Sequence, residues 1–268
     1  MNKRVFLAGL AAPLFVSSYA AAEGPWVDRH VTLPARDWSF DVGLGLAHDA
    51  PPRVPDYPVG PGFNFEMAVS PIDRLEIGLR SGARLGDPAR ETTADEYGRL
   101  FDRENFDTGS DVFANPEFHI RGALVRTHIF DLGLEGRAWI PFAPGTRFGT
   151  MFGVPMILHL GHVVRLDFGA YVPIVFDDPY VNTWLSFPIN VWIQCTERLW
   201  LGPEGGFRVH NANDRFRDSH LQVPFGFGLG YQILRNLDLK TQFLFPDLNQ
   251  DAGAQRFGFG VGIQVRIE

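Results

Sequence analysis

The final twelve residues of the chain, 257–268, alternate between apolar side chains and small or polar ones. The apolar positions are Phe257, Phe259, Val261, Ile263, Val265 and Ile267. A period of two predicts a β-strand, because successive side chains of a strand point to opposite faces. The length exceeds the about 5–6 residues of a typical globular strand and suits a tilted strand across a bilayer, which needs roughly 9–11. The pattern therefore predicts a strand whose apolar face contacts either lipid or a protein core.

The same alternation recurs in eleven earlier segments, which proline- and glycine-rich stretches separate. These segments begin at Trp38, Phe63, Leu75, Asn115, Phe130, Phe148, Val164, Asn182, Leu199, Leu221 and Leu237. Tight connections alternate with generally longer polar ones, of which the longest covers residues 84–111. Short turns on one side and longer loops on the other are typical of membrane barrels. The pattern predicts an all-β fold, a closed antiparallel up-and-down transmembrane β-barrel of about 12 strands, in which residues 257–268 pair with residues 38–47.

Aromatic side chains mark the ends of the predicted strands on their apolar face. Those beside the longer connections are Phe63, Phe148, Phe176, Phe245 and Phe257, and those at the opposite ends are Trp38 and Tyr231. Two such belts are expected where a barrel meets the two membrane interfaces. The polar face is rich in glycine, which weakens a solvated strand but permits close packing on a lumen wall. These features favour a membrane barrel over the alternative, a secreted soluble β-sandwich or lipocalin-like barrel with its apolar face inward.

The N-terminus has the three parts of a secretory signal peptide. Lys3 and Arg4 precede an apolar run over residues 5–16, and small residues follow up to Ala22. The apolar run is shorter than the about 20 residues that a transmembrane helix needs. We therefore predict a signal peptide over residues 1–22 with cleavage near Ala20 or Ala22, a short periplasmic segment over 23–37 and the barrel over 38–268.

Charge and cysteine content narrow the classes of function. Removal of Lys3 and Arg4 changes the formal charge from −7 to −9, which does not indicate nucleic-acid binding. The single cysteine, Cys195, excludes an intrachain disulfide and a cysteine-rich metal cluster. His119 and His159 face the predicted lumen without partners at ligand spacing. The sequence therefore predicts no metal site and no cofactor.

Residues 70–77, Ser-Pro-Ile-Asp-Arg-Leu-Glu-Ile, resemble the tight periplasmic turns of bacterial outer-membrane β-barrel proteins. Together with the strand alternation, the resemblance covers essentially all of the mature chain. One departure is the ending Arg266-Ile267-Glu268, where such barrels usually have a final aromatic residue. The resemblance implies export to the outer membrane of a Gram-negative bacterium, contact with outer-membrane lipid and insertion by the barrel-assembly machinery.

The polar face of the predicted barrel carries nine acidic and seven basic residues. This near balance does not indicate the ring of one sign that a strongly selective pore needs. Seven of these charges, Glu66, Glu76, Arg80, Glu117, Arg121, Glu135 and Arg137, lie on consecutive strands, where they are placed to form cross-strand ion pairs. The candidate lumen or constriction residues are Glu66, Glu76, Arg80, Glu117, His119, Arg121, Asp131, Glu135 and Arg137. Two interpretations stay open: a polar constriction that screens small solutes, or a packed plug of paired charges, since buried ions require partners.

Three functions are compatible with this pattern. The favoured one is a porin-like channel or transporter for small polar solutes, gated in part by the loop 84–111. The second is a closed structural or surface-interaction barrel that acts through its outer loops. The third is a loop-borne hydrolase, suggested by Asp218-Ser219-His220 with the acidic pair at 177–178. Because a short tripeptide arises easily by chance, we predict that the protein is not an enzyme.

Overall fold

The computed structural model describes residues 24–48, 61–84, 113–177, 180–211, 221–245, 247–249 and 257–268. Within these ranges the chain forms thirteen β-strands and one short 3-10 helix, Trp26–Asp28. The strands are β1 (Trp38–His48), β2 (Pro61–Ile72), β3 (Leu75–Arg84), β4 (Glu117–Arg126), β5 (Phe130–Trp139), β6 (Phe148–Leu160), β7 (Val164–Asp177), β8 (Tyr180–Gln194), β9 (Leu199–Asn211), β10 (Leu221–Gln222), β11 (Phe225–Leu234), β12 (Leu237–Phe245) and β13 (Phe257–Ile267). None of the helices in the described ranges has the length and apolar character needed to span a membrane.

The strands form one closed antiparallel barrel. Strands that follow each other along the wall are paired, and the first strand, β1, pairs with the last, β13. In this closing pair Trp38 lies opposite Ile267 and Leu44 lies opposite Val261. The pairing of β8 with β9 completes the circle. The predicted closed up-and-down barrel, including the pairing of its two terminal strands, is confirmed.

The strands β10 and β11 are two parts of a single wall strand, since both pair with β9. Pro224 lies between them, and proline has no N–H to donate to the ladder. At this gap a side chain takes the place of a backbone acceptor: the N–H of Val223 donates to Asp247 Oδ1 at 3.0 Å. Counting β10 and β11 as one, the described strands form a wall of twelve, as the sequence predicts.

Tight turns join the strands at one end of the barrel, which we call the short-turn end. These turns lie at residues 73–74, 127–129, 161–163, 195–198 and 235–236. Ser70 supports the first of them, since its Oγ lies 3.0 Å from the carbonyl oxygen of Ile72 and 2.8 Å from that of Leu75. Arg74 completes this turn with a φ of 67°, in the left-handed region. The other connections leave the wall at the opposite end, the loop end.

Apolar side chains cover the outside of the wall. Along β13, the odd-numbered positions are exposed or half-buried and the even-numbered positions are buried. The aromatic residues predicted for the two belts behave in the same way. Phe245 is half-buried, and six others are 38–45% exposed: Trp38, Phe63, Phe148, Phe176, Tyr231 and Phe257. This outer face has the alternation expected of a surface that lipid covers.

Glycines on the inner face leave room for large side chains that lie against the wall. A Cβ atom on Gly78 would come within 2.1 Å of the His119 ring, and one on Gly230 within 2.1 Å of the Trp200 ring. Neither position accepts a side chain while these rings stay in place. The lumen is therefore filled in part by rings that the small wall residues accommodate.

Residues 24–37, which we call the N-terminal segment, lie inside the short-turn end of the barrel. Trp26, Val27, Val31 and Leu33 are all buried there. The sequence predicts a short periplasmic segment over residues 23–37, and nothing in its pattern indicates packing inside the wall. The predicted signal peptide, residues 1–22, lies outside the described residues.

Candidate functional site

The nine candidate lumen residues face inward from four consecutive strands, β2 to β5. We call seven of them the Glu/Arg belt: Glu66, Glu76, Arg80, Glu117, Arg121, Glu135 and Arg137. The strand register places opposite charges directly across from each other, as in Glu66 with Arg80, Glu76 with Arg121, Arg80 with Glu117, and Arg121 with Glu135. Cross-strand neighbours of opposite charge stabilise a sheet. The pairing within the Glu/Arg belt therefore follows from the register of β2 with β3, of β3 with β4 and of β4 with β5.

Arg121 lies at the centre of the Glu/Arg belt and contacts two carboxylates. Its Nε and Nη2 each lie 3.2 Å from an oxygen of Glu135, and its Nη1 lies 2.7 Å from Glu76 Oε1. The contact with Glu135 is bidentate, a geometry that fixes both planar groups. All three side chains are fully buried. Their charges are therefore compensated by each other, as buried ions require.

Arg137 extends the Glu/Arg belt toward the loop end. Its Nε lies 2.6 Å from Glu135 Oε1 and its Nη1 lies 3.0 Å from Glu117 Oε1. Glu117 also accepts a hydrogen bond from the Trp139 Nε1–H at 2.6 Å and lies 3.3 Å from Arg80 Nη2. The Glu/Arg belt is thus a continuous network of paired charges across four strands.

His119 joins this network between two glutamates. Its Nε2 lies 3.5 Å from Glu76 Oε1 and its Nδ1 lies 3.9 Å from Glu66 Oε1. The ring is buried and lies over Gly78. Among the nine candidate residues, the structure therefore gathers His119 and the seven members of the Glu/Arg belt into one network.

Asp131, the ninth candidate, contacts the N-terminal segment instead. Its Oδ2 lies 2.9 Å from His30 Nδ1 and accepts the N–H of Val31 at 3.1 Å. Its Oδ1 accepts the N–H of Thr127 at 3.3 Å. Asp131 therefore links the wall to the N-terminal segment, and the use of any of the nine residues as a constriction stays a prediction.

The N-terminal segment is attached to the wall on several sides. The N–H of Leu33 donates to Glu76 Oε2 at 3.0 Å, which connects the segment to the Glu/Arg belt. Arg29 Nη1 lies 2.5 Å from Asp238 Oδ2, and the Arg29 carbonyl oxygen accepts a hydrogen bond from Arg165 Nη1 at 3.0 Å. These partners lie on β3, β12 and β7. The segment therefore crosses the lumen with contacts to distant parts of the wall.

Trp26 anchors the beginning of the N-terminal segment. Its ring stacks on Trp200 with centroids 5.1 Å apart and meets Trp192 edge-on at 5.2 Å. The guanidinium carbon of Arg165 lies 4.6 Å from the centroid of the Trp26 ring. Stacked, edge-on and cation–π contacts all favour a defined ring position. The segment thus begins in a packed aromatic cluster on the lumen wall.

Sequence reasoning missed the N-terminal segment as part of the lumen. The available signal was its apolar content, since Trp26, Val27, Val31 and Leu33 fall within eight positions of a stretch expected to be solvated. The wall residues that the segment contacts could not be identified from the sequence, because partners such as Arg29 and Asp238 are 209 positions apart. Only closure of the barrel brings such residues together.

Except for Asp177, the last residue of β7, the residues behind the hydrolase alternative lie outside the described part of the chain. Asp218, Ser219 and His220 fall within residues 212–220, and Asp178 follows the last residue of β7. The predicted gating loop is likewise outside the described residues from 85 to 111. Both ideas stay predictions from the sequence.

No protein-family model and no curated protein sequence matches the chain. Solved structures do match it. An outer-membrane channel from Pseudomonas putida F1 superposes with a TM-score of 0.62 at 10% identity, over 93% of this chain and 100% of that one. The NanC porin gives 0.55 at 8% identity, over 85% and 100% of the two chains. The KdgM porin in complex with disordered oligogalacturonate gives 0.54 at 9% identity, over 86% and 99%.

At these identities the similarity concerns the fold alone. The twelve-stranded closed wall, its apolar outside and its charged inside define the class of the protein. Its fold is the closed β-barrel that these outer-membrane porins and channels share.

Proposed function

We propose that the protein is a porin-like channel of the outer membrane that passes small polar solutes and is narrowed by its N-terminal segment. The observation that carries this proposal is a closed barrel wall with charged residues inside and apolar residues outside. The matched porins and the matched outer-membrane channel support it, because they share the fold. Those neighbours also agree with a role that is not enzymatic.

Charges inside the lumen are paired rather than separated by sign. Arg121 and Arg137 contact glutamates of the Glu/Arg belt within 3.2 Å, and Lys240 Nζ lies 2.9 Å from Asp41 Oδ2. A strongly ion-selective filter would present a ring of one sign. We therefore expect weak discrimination between cations and anions, with passage limited mainly by width.

The N-terminal segment is the element that narrows the proposed path at the short-turn end. It runs from the Trp26 cluster near β8 and β9 to the contact of Leu33 with Glu76 on β3. A solute that leaves the barrel at this end has to pass the segment. We therefore expect low conductance with the segment in place and higher conductance once it is removed.

Conductance in planar bilayers tests the proposal. The purified, folded full chain is compared with a variant that lacks residues 24–36 behind an unchanged signal peptide, and heat-modifiable gel migration confirms that both are folded barrels. We expect small or intermittent currents from the full chain and larger, steady currents from the variant. If neither folded protein carries current, the channel proposal fails and the closed structural or surface-interaction barrel is favoured.

We also propose that residues 1–22 are removed on export and that the barrel-assembly machinery inserts the wall with its short-turn end in the periplasm. Short turns on the periplasmic side are the usual arrangement in such barrels. Cell fractionation with N-terminal sequencing is expected to find the chain in the outer membrane, beginning just after Ala20 or Ala22. Recovery as a soluble periplasmic protein would contradict this.

A further inference from the structure

Three side chains with metal-binding atoms meet where the N-terminal segment touches the wall. They are His30 of the segment, Asp131 of β5 and His159 of β6, and one ligand atom of each lies within 4.8 Å of the others. His30 Nδ1 lies 2.9 Å from Asp131 Oδ2, and His159 Nε2 lies 3.7 Å from the same oxygen. Bonds of about 2.0–2.1 Å in a tetrahedral zinc site separate two ligand atoms by about 3.3–3.5 Å. The two observed distances lie on either side of that value.

His159 is already oriented as a ligand. Its Nδ1 lies 2.8 Å from the carbonyl oxygen of Val27, and because a carbonyl oxygen only accepts, Nδ1 carries the proton. In the neutral ring the lone pair then lies on Nε2, which faces Asp131. Among the described residues, this buried Nε2 has no hydrogen-bond partner. A histidine that donates one ring N–H to a backbone carbonyl and directs the other nitrogen into a site is the usual arrangement of a metal ligand.

Asp131 is held in place by groups other than the two histidines. The N–H of Val31 donates to its Oδ2 and the N–H of Thr127 donates to its Oδ1. Its side chain is fully buried, whereas the side chain of His30 is 38% exposed. The wall thus presents two ligands, and the third comes from the partly exposed His30 ring of the N-terminal segment.

Positive charges near these ligands have carboxylate partners of their own. Arg126 Nη1 lies 2.8 Å from Asp73 Oδ1, and Arg165 Nε lies 2.5 Å from Asp167 Oδ1. The charge of Asp131 therefore stays available to offset part of the charge of a divalent cation. Two imidazoles and one carboxylate suit zinc and its neighbours in the first transition row better than magnesium or calcium, which prefer all-oxygen ligands.

We propose that His30, Asp131 and His159 form a binding site for a divalent transition metal, with zinc as the prime candidate, which fastens the N-terminal segment to the barrel wall. The remaining coordination position is filled by water on the exposed side of His30. Because the ligands come from the segment and from two wall strands, bound metal links parts of the chain that otherwise separate when the segment leaves the lumen. The proposal is independent of whether the barrel conducts solutes.

Calorimetric titration of the folded full chain with zinc chloride tests the site, using protein purified without a polyhistidine tag and stripped with a chelator. We expect one zinc ion per chain and no comparable binding of magnesium. The variants His30→Ala and His159→Gln are expected to weaken zinc binding more than tenfold, since each removes one of three protein ligands. His30 lies outside the strands, so its variant remains informative if His159→Gln does not fold.

His128→Ala and His162→Ala are the matched controls, because both histidines lie in exposed turns at the short-turn end. His162 pairs with Asp28 at 2.8 Å and so tests a competing surface site. Zinc affinity is expected to be unchanged in both controls. Absence of zinc binding, unchanged affinity in His30→Ala, or an equal loss in either control would overturn the proposal.

Limited trypsin digestion provides a second measurement that reports on the segment itself. Arg29 is buried inside the barrel, so cleavage after it requires the N-terminal segment to leave the lumen. Zinc is expected to slow this cleavage in the parent protein and to have no effect in His30→Ala. Equal cleavage of the parent protein with and without zinc would show that metal does not fasten the segment.

Discussion

Arg121 shows at the scale of single residues how the lumen tolerates charge. Its guanidinium contacts Glu76 and Glu135, and all three side chains are fully buried. The cost of removing such charges from water is offset only while each one keeps its partners. The Glu/Arg belt is therefore sensitive to the loss of any arginine at its centre.

Replacing Arg121 by alanine is expected to lower the free energy of unfolding by about 3–5 kcal/mol, because two buried carboxylates lose a shared cation. Urea unfolding in lipid vesicles, followed by tryptophan fluorescence, measures this change. Arg235→Ala is the control, since Arg235 lies exposed in the last short turn and its loss should change stability by about 0.5 kcal/mol or less. Equal unfolding midpoints for the two variants would show that the Glu/Arg belt contributes little.

Among the elements of the fold, the N-terminal segment differs from the wall strands in how it is held. A wall strand is held by backbone ladders on both sides, whereas the segment is held by separate side-chain contacts with the wall. The Trp26 cluster at its beginning and the contact of Leu33 with Glu76 are two of them. Elements outside the backbone ladders of a fold can open locally at a lower free energy than the whole fold. The segment is thus the part of the lumen whose position a small change can shift.

Trp26→Ala is expected to release the N-terminal segment while the barrel stays folded. Truncation of a buried aromatic ring costs about 3–5 kcal/mol, so the open population should rise by roughly 100-fold or more. The rate of trypsin cleavage after Arg29 measures this rise. Ala35→Ser, at an exposed position of the same segment, should leave the rate unchanged. A rate in Trp26→Ala equal to that of the parent protein would mean that the aromatic cluster does not anchor the segment.

At the scale of the whole molecule, the direction in which the apolar face points distinguishes a membrane barrel from a soluble one. In a soluble protein an exposed isoleucine tolerates substitution, whereas on a lipid-facing wall the same residue behaves as if it were buried. Ile263 of β13 is 46% exposed, and Ile129 in a short turn is 51% exposed. Exposure alone therefore does not distinguish the two positions, but their surroundings in a membrane do.

Ile263→Arg is expected to destabilise the folded barrel in lipid by about 2–4 kcal/mol, the cost of arginine on the lipid face near the bilayer centre. Ile129→Arg, the same substitution outside the wall, should change stability by about 0.5 kcal/mol or less. Urea unfolding in vesicles compares the two. Equal stability of both variants would contradict a lipid-facing wall and would agree with the soluble barrel.

Much of the wall could be predicted because its information is local. The period of two assigns each side chain of β13 to one face, and the tight turn at Ser70 fixes how β2 returns as β3. Register then follows from the turns, so that Glu66 meets Arg80 and Arg121 meets Glu135. The closing pair of β1 with β13 is also predictable from the sequence. With an even number of strands the first and last are antiparallel, and in a membrane each edge strand needs a partner.

The candidate site was predictable only where strands are neighbours. The Glu/Arg belt is a product of adjacent strands, and the alternation places all its members on the inner face. Asp131 and His159 were both assigned to this face, but His30 was not, because it precedes the barrel and is 101 positions from Asp131. The spacing of ligand residues along the chain does not indicate a metal site at His159, because His30 and Asp131 reach it only through the fold.

The sequence by itself determined the twelve-stranded wall, its apolar outer side, its polar inner side and the pairing of charges between neighbouring strands. These depend on local periodicity and short turns, which act over a few residues. Only the tertiary structure decided that the N-terminal segment enters the lumen and that His30, Asp131 and His159 meet there. The physical reason is that contacts across the lumen depend on closure of the barrel and on the reach of side chains, and no repeating pattern along the chain encodes either.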